Sequence, residues 1–185
     1  MKHSLPSVLL AAALLAAGPS PARAQLKFDQ SLSLTAGLYA ASGFGNNFYS
    51  SLRYNYFIPG GRYFVEGSLG VGSLKSKVIG SVTKAQIVTS DNLVTYEFAF
   101  AYDYMPGGAL PYVLFGVGGV RQGEETHFAG EIGLGKRIPL PGLFGSSALG
   151  IRYDIRDQIF SQSINNSDPF VVHNIVATLG LQIYF

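Results

Sequence analysis

The chain has no cysteine and no tryptophan, little charge, and, beyond residue 24, no long apolar run. Each lack excludes something. Without cysteine the fold is not stapled by disulfides, and no lipid-carrying cysteine can follow an export signal. Charged residues make up 13% of the sequence, about half the usual share. Past Ala24 no stretch approaches the roughly 20 apolar residues that a membrane helix needs. Yet 48% of the residues are hydrophobic. The chain is hydrophobic on average without being hydrophobic anywhere for long, and alternation is the pattern that reconciles the two.

The one apolar run stands at the start. Lys2 and His3 precede an unbroken Val8–Ala17 stretch, Gly18, Pro19 and Pro21 break it, and Ala22-Arg23-Ala24 has the form of an export-signal cleavage site. This predicts a signal peptide over residues 1–24, cut after Ala24, and one domain over 25–185. Lys2 and Arg23 leave with the signal, so 11 basic residues remain against 11 acidic ones. A net charge near zero removes the electrostatic case for nucleic-acid binding.

What is abundant is glycine (23), phenylalanine (13) and tyrosine (11), arranged with period two. Leu32, Leu34, Ala36, Leu38 and Ala40 alternate with Ser31, Ser33, Thr35, Gly37 and Tyr39. Seven further segments repeat the pattern, and each predicts a strand. Three Pro-Gly pairs, Pro59-Gly60, Pro106-Gly107 and Pro141-Gly142, predict tight turns. Four polar connections, at about residues 41–47, 74–91, 121–126 and 157–170, predict longer loops. Four loops and three turns join eight strands, which gives an all-β, eight-stranded antiparallel up-and-down transmembrane β-barrel with both termini on the periplasmic side.

The polar face of these strands is mostly Gly, Ser and Ala with isolated charges, which suits a narrow packed lumen. Tyr54, Tyr56, Tyr63, Phe100, Tyr102 and Phe185 gather on the apolar face near the turn-side ends, like an interfacial girdle. The last residues, Thr178-Leu179-Gly180-Leu181-Gln182-Ile183-Tyr184-Phe185, are similar to the C-terminal signal read by the barrel assembly machinery. Thr178, Gly180 and Phe185 match that pattern, and Ile183 stands where an aromatic is common. With the strand count, residues 26–185 resemble the small outer-membrane barrels of the OmpA transmembrane domain and OmpX type. The resemblance specifies location and fold rather than activity; the expectation is a monomeric structural or surface-interaction barrel among outer-membrane lipid and lipopolysaccharide.

Inward parity falls on Arg53, Glu66, Glu97, Glu131, Arg152, Asp154 and Arg156, where lipid exposure of an arginine would cost about 2–4 kcal/mol at the bilayer midplane. A turn centred between Pro59 and Gly60 sets Arg53 opposite Glu66. One centred between Pro141 and Gly142 sets Glu131 opposite Arg152. The expected lumen is an ion-pair network extended by Glu97, Asp154 and Arg156, which plugs a barrel of this size or, alternatively, lines a narrow gated pore.

Chemistry is otherwise sparse. The domain keeps two histidines, His127 and His173, near loop-side strand ends. They are the candidates for a lipid A-modifying enzyme, but the His-x-Ser-Asn string of the deacylases is absent. Asp154, Asp157 and Asp168 lack metal-loop spacing. Gly116-Val117-Gly118-Gly119 has no following helix to cradle a phosphate. No catalytic residue, cofactor or metal is expected. The 74–91 connection mixes Lys75, Lys77 and Lys84 with Val78, Ile79, Val82, Ile87 and Val88. It predicts a projecting ribbon whose free edges could receive an extracellular partner.

Overall fold

A computed structural model of the chain describes residues 28–41, 45–79, 86–106, 110–144, 147–162 and 170–185. The predicted signal and its cleavage residues Ala22 and Ala24 lie outside them. Eight strands are present: β1 (Gln30–Ala41), β2 (Gly45–Phe57), β3 (Tyr63–Ile79), β4 (Gln86–Asp103), β5 (Tyr112–Gln122), β6 (Glu125–Phe144), β7 (Ser147–Gln162) and β8 (Phe170–Tyr184). Each pairs antiparallel with its sequence neighbours, and β8 returns to β1, so the sheet closes on itself. The chain is an all-β, eight-stranded up-and-down barrel.

Register fixes its shape. The rung that starts at Gln30 passes through Tyr56, Val65, Phe100, Phe115, Ile132, Asp157 and Ile175 and re-enters β1 at Ala40. That is a stagger of ten residues per circuit, which tilts the strands by roughly 40° to the barrel axis.

The two faces of the wall are the reverse of those in a water-soluble barrel. Outward, Leu34 is 64% exposed, Phe128 76% and Leu179 60%, while inward Arg152 and Gln182 are 0% exposed. A wall of bare leucine and phenylalanine in water would forfeit its hydrophobic free energy, whereas in hydrocarbon it is at rest. Closure satisfies the backbone groups that hydrocarbon cannot. The wall is that of a transmembrane barrel. Tyr63 at the turn end packs on Tyr102 and Phe100, at centroid separations of 5.1 and 5.7 Å, within the expected girdle.

Two turns differ from the sequence reading. The first is centred one residue later than expected, between Gly60 and Gly61: Phe57 pairs with Phe64, the Ile58 N–H donates to the Tyr63 carbonyl at 2.9 Å, and Gly60 and Gly61 take φ of 101° and 70°, a region open chiefly to glycine. The second does not exist where expected. Pro141-Gly142 lies inside β6, which runs on to Phe144 through an irregularity after Leu140. The reason is local. β5 stops pairing at the Tyr112–Gly135 rung, so beyond it, among the described residues, β6 pairs on one side only, and an edge strand tolerates proline. At the other end of the barrel, the expected 121–126 loop contracts to a turn at Gly123-Glu124, with Gly123 at φ 61°.

Candidate functional site

β7 supplies the framework of the lumen. Its inward polar residues are Arg152, Asp154, Arg156 and Gln158, all buried. Small residues stand beside three of them: Gly180 beside Arg152, Gly135 and Thr178 beside Asp154, and Gly133 beside Arg156. Beside these small residues Arg152 and Arg156 have room to reach across the barrel to β3.

Arg53 on β2 donates to Asp154 Oδ1 at 2.6 Å and to Thr178 Oγ1 at 3.2 Å. Arg152 reaches Glu66 on β3 at 2.6 Å, an ion pair rather than an aligned hydrogen bond, and holds Asp154 at 3.1 Å and Asn55 at 3.2 Å. Arg156 gathers four carboxylates: Glu66 and Asp154 at 2.6 Å, Glu131 at 3.0 Å and Glu97 at 3.4 Å. Ser68 Oγ donates to Glu97 at 2.7 Å, and Gln158 Nε2 donates to the other oxygen of the same carboxylate.

The seven charged residues singled out from parity thus meet in one buried band. Neither expected pairing occurs. Arg53 stands opposite Ser68, and Glu66 opposite Asn55, because the first turn is displaced by a residue. Glu131 stands opposite Gln158, and Arg152 opposite Arg137, because the β6–β7 turn lies beyond Pro141-Gly142. Hairpin register locates hydrogen-bonded neighbours, whereas Arg53–Asp154, Arg152–Glu66, Arg156–Glu66 and Arg156–Glu97 join strands that are not neighbours, and Arg156–Glu131 joins adjoining strands out of register.

Sequence reasoning missed a second ionic element. Arg137 Nη2 donates to Asp103 Oδ2 at 2.6 Å, and its guanidinium lies 4.3 Å from the Phe64 ring centroid and 4.6 Å from that of Phe57. Both charges share the inward parity of their strands, and that signal alone could have found them.

Apolar side chains close the band at both ends. Tyr39, Tyr49, Leu74, Leu93, Val120, Phe160 and Val172 cluster at the loop end, while Phe57, Phe64, Tyr112, Leu114 and Tyr184 cluster at the turn end.

The remaining candidates are scattered. His127 lies on the inner side, stacked on Phe160 with centroids 5.0 Å apart and 3.4 Å from Glu125. His173 lies on the outer wall, 2.8 Å from Asp157. The two histidines do not share a site. Asp154 faces inward, Asp157 sits on the outer wall, and Asp168 lies outside the described residues. Among the described residues no three His, Asp or Glu side chains are placed to hold a metal ion.

Of the C-terminal group, Thr178 and Gly180 belong to the inner face, and Ile183 and Phe185 are exposed on the outer one. Phe185 exchanges backbone hydrogen bonds of 3.1 and 3.2 Å with Gln30, which extends the β8–β1 closure to the last residue.

No protein-family model and no curated protein matches the chain. Among solved structures the chain is similar to Neisserial surface protein A, with 17% identity and a TM-score of 0.45 over 85% of this chain and 97% of that one.

Proposed function

We propose that this protein is a non-catalytic barrel of the bacterial outer membrane, exported by its N-terminal signal, with both termini periplasmic and a plugged lumen. Its role is structural or one of surface interaction, among lipid and lipopolysaccharide, as a monomer. The observation that carries this reading is the layering of the lumen. A band of ion pairs lies between two apolar clusters, so a hydrated ion would have to displace both the charges and the rings. Thr178, Gly180, Ile183 and Phe185 are proposed as the signal for the barrel assembly machinery. Single-channel recording of refolded protein in planar bilayers tests the plug. Wild type and Arg152→Ala are both expected to be silent, and defined conductance steps in wild type would return the narrow gated pore to first place.

One observation favours a docking role as well. β3 and β4 continue for seven pairs, Ser73↔Asn92 to Ile79↔Gln86, beyond the last rungs they share with β2 and β5. Among the described residues the outer edges of this ribbon carry no strand partner in that stretch, and a free edge is a template for an added strand. Deleting residues 76–88 is expected to leave folding and heat-modifiable mobility unchanged while reducing binding of bacteria to host or partner surfaces. Undiminished binding would remove the ribbon as the docking element.

A further inference from the structure

The ionic band does not balance. Its carboxylates are Glu66, Glu97, Glu131 and Asp154, and its guanidiniums are Arg53, Arg152 and Arg156, while Asp103 and Arg137 cancel each other nearer the turn end. With every group ionised the band is one negative charge in excess, and apolar clusters close it at both ends. An uncompensated charge in such surroundings is heavily penalised.

Three oxygens of the band lack a hydrogen-bond partner; Glu66 Oε2 lies 2.6 Å from the Arg152 guanidinium, and the other two mark where the missing positive charge belongs. Glu131 Oε1 accepts from Arg156, but Glu131 Oε2 has no hydrogen-bond partner. Gln158 is the cross-strand neighbour of Glu131. Its Nε2 is committed to Glu97, which leaves Oε1 as an acceptor, and that atom too has no partner. Glu131 is 6% exposed and Gln158 1%. Two acceptors cannot satisfy each other, whereas one proton between them satisfies both. The space is also informative. A Cβ added to Gly116, the neighbour of Glu131 on β5, would stand 3.1 Å from Glu131 Oε2. The Ala99 Cβ and the Phe98 carbonyl would each stand 2.9 Å from the same Cβ, so the space beside that oxygen is closely packed, which suits a proton and not an ion with its shell of ligands.

We propose that the lumen binds one proton on Glu131, with Oε2 as the donor and Gln158 Oε1 as the acceptor. The proton is taken from water as the barrel closes. The groups around Glu131 are Arg156, Asp154 and Gln158 on β7, Glu97 on β4, Glu66 on β3 and Arg53 on β2; β5 contributes the uncharged Gly116.

The sign of the resulting pH dependence is fixed. In the unfolded chain a glutamate is ionised above about pH 5. The folded barrel then holds one more proton than the unfolded chain, so stability falls as pH rises. The unfolding equilibrium constant grows about tenfold per pH unit until Glu131 releases its proton.

Urea unfolding of the refolded barrel in phosphatidylcholine vesicles, between about pH 6 and about pH 9, tests this alongside the infrared carbonyl band of a protonated carboxyl. Wild type is expected to show the one-proton slope and the infrared band. Glu131→Gln, whose amide supplies the same donor without the charge, is expected to abolish both. A flat wild-type profile with no infrared band at neutral pH overturns the proposal. So does a slope that survives in Glu131→Gln and disappears in Glu97→Gln, which places the proton elsewhere. A dependence on sodium against a large organic cation at fixed pH, with no pH slope, identifies a bound ion instead. Should Glu131→Gln fail to refold, the wild-type infrared band decides by its presence or absence.

Discussion

Replacing Arg156 with methionine is expected to destabilise the barrel by about 3–5 kcal/mol, the typical result of removing one partner from a buried ionic cluster. The geometry makes this residue the extreme case. One guanidinium, 1% exposed, serves Glu66, Asp154, Glu131 and Glu97. Methionine fills much of the volume but leaves Asp154 and Glu66 to Arg53 and Arg152, and takes from Glu131 and Glu97 the guanidinium they pair with. Water cannot relieve the excess charge while both apolar ends stay closed. The measurement is the urea midpoint of unfolding from lipid vesicles. Arg156→Lys, which restores one charge without the planar fork, is expected to fall between methionine and wild type. A methionine variant as stable as wild type would mean that the network adds nothing to the fold, and the lumen would be better described as filled than as bonded.

A second large effect is expected where the sheet closes. At Gly180, which stands opposite Thr35 in the β1–β8 pair, an added Cβ would run into the Leu34 carbonyl and the Thr35 Cα. These are backbone atoms of the neighbouring strand, so no rotamer change makes room and only opening of the seam would. Gly180→Val is therefore expected to cost about 3 kcal/mol or more, at or above the upper end of ordinary overpacking, and to yield protein without the compact, heat-modifiable band on gels. Gly67 provides the control. It too lies within a strand, but an added Cβ there meets nothing within 4 Å, so Gly67→Val should migrate like wild type. Because Gly180 also belongs to the proposed assembly signal, the same variant should be refolded from urea without cellular machinery. Failure there locates the defect in closure. Normal refolding combined with failed insertion in cells would locate it in recognition, as is expected for deletion of Phe185.

The architecture was legible because alternation is a property of single strands. Leu32 to Ala40 needs no partner to declare two faces, and eight such segments joined by short connections leave few topologies. The charged residues of the lumen could be assigned to the inner face for the same reason. Who meets whom could not. Arg53 and Asp154 are brought together by the ten-residue stagger of the whole circuit, and no hairpin contains both. Pro141-Gly142 misled because turn chemistry is read from the dipeptide, whereas its tolerance inside β6 depends on where a different strand, β5, stops. Arg137 and Asp103 were visible only as inward parity, and their rings, Phe57 and Phe64, come from two other strands.

The ion pairs that leave β7 have a mechanical meaning. Arg152 and Arg156 reach β3, diametrically across the circuit, and Asp154 is tied to β2. They act as spokes set inside a rim. A hollow cylinder of tilted strands can flatten into an ellipse at little cost to its wall bonds, since each strand pair need only hinge slightly. Struts across the diameter forbid that deformation, because any flattening must lengthen some of them in a medium that offers no replacement partners. The barrel should therefore resist lateral squeezing by its surroundings much better than its thin wall alone would, and it should give way, when it does, by losing its spokes first.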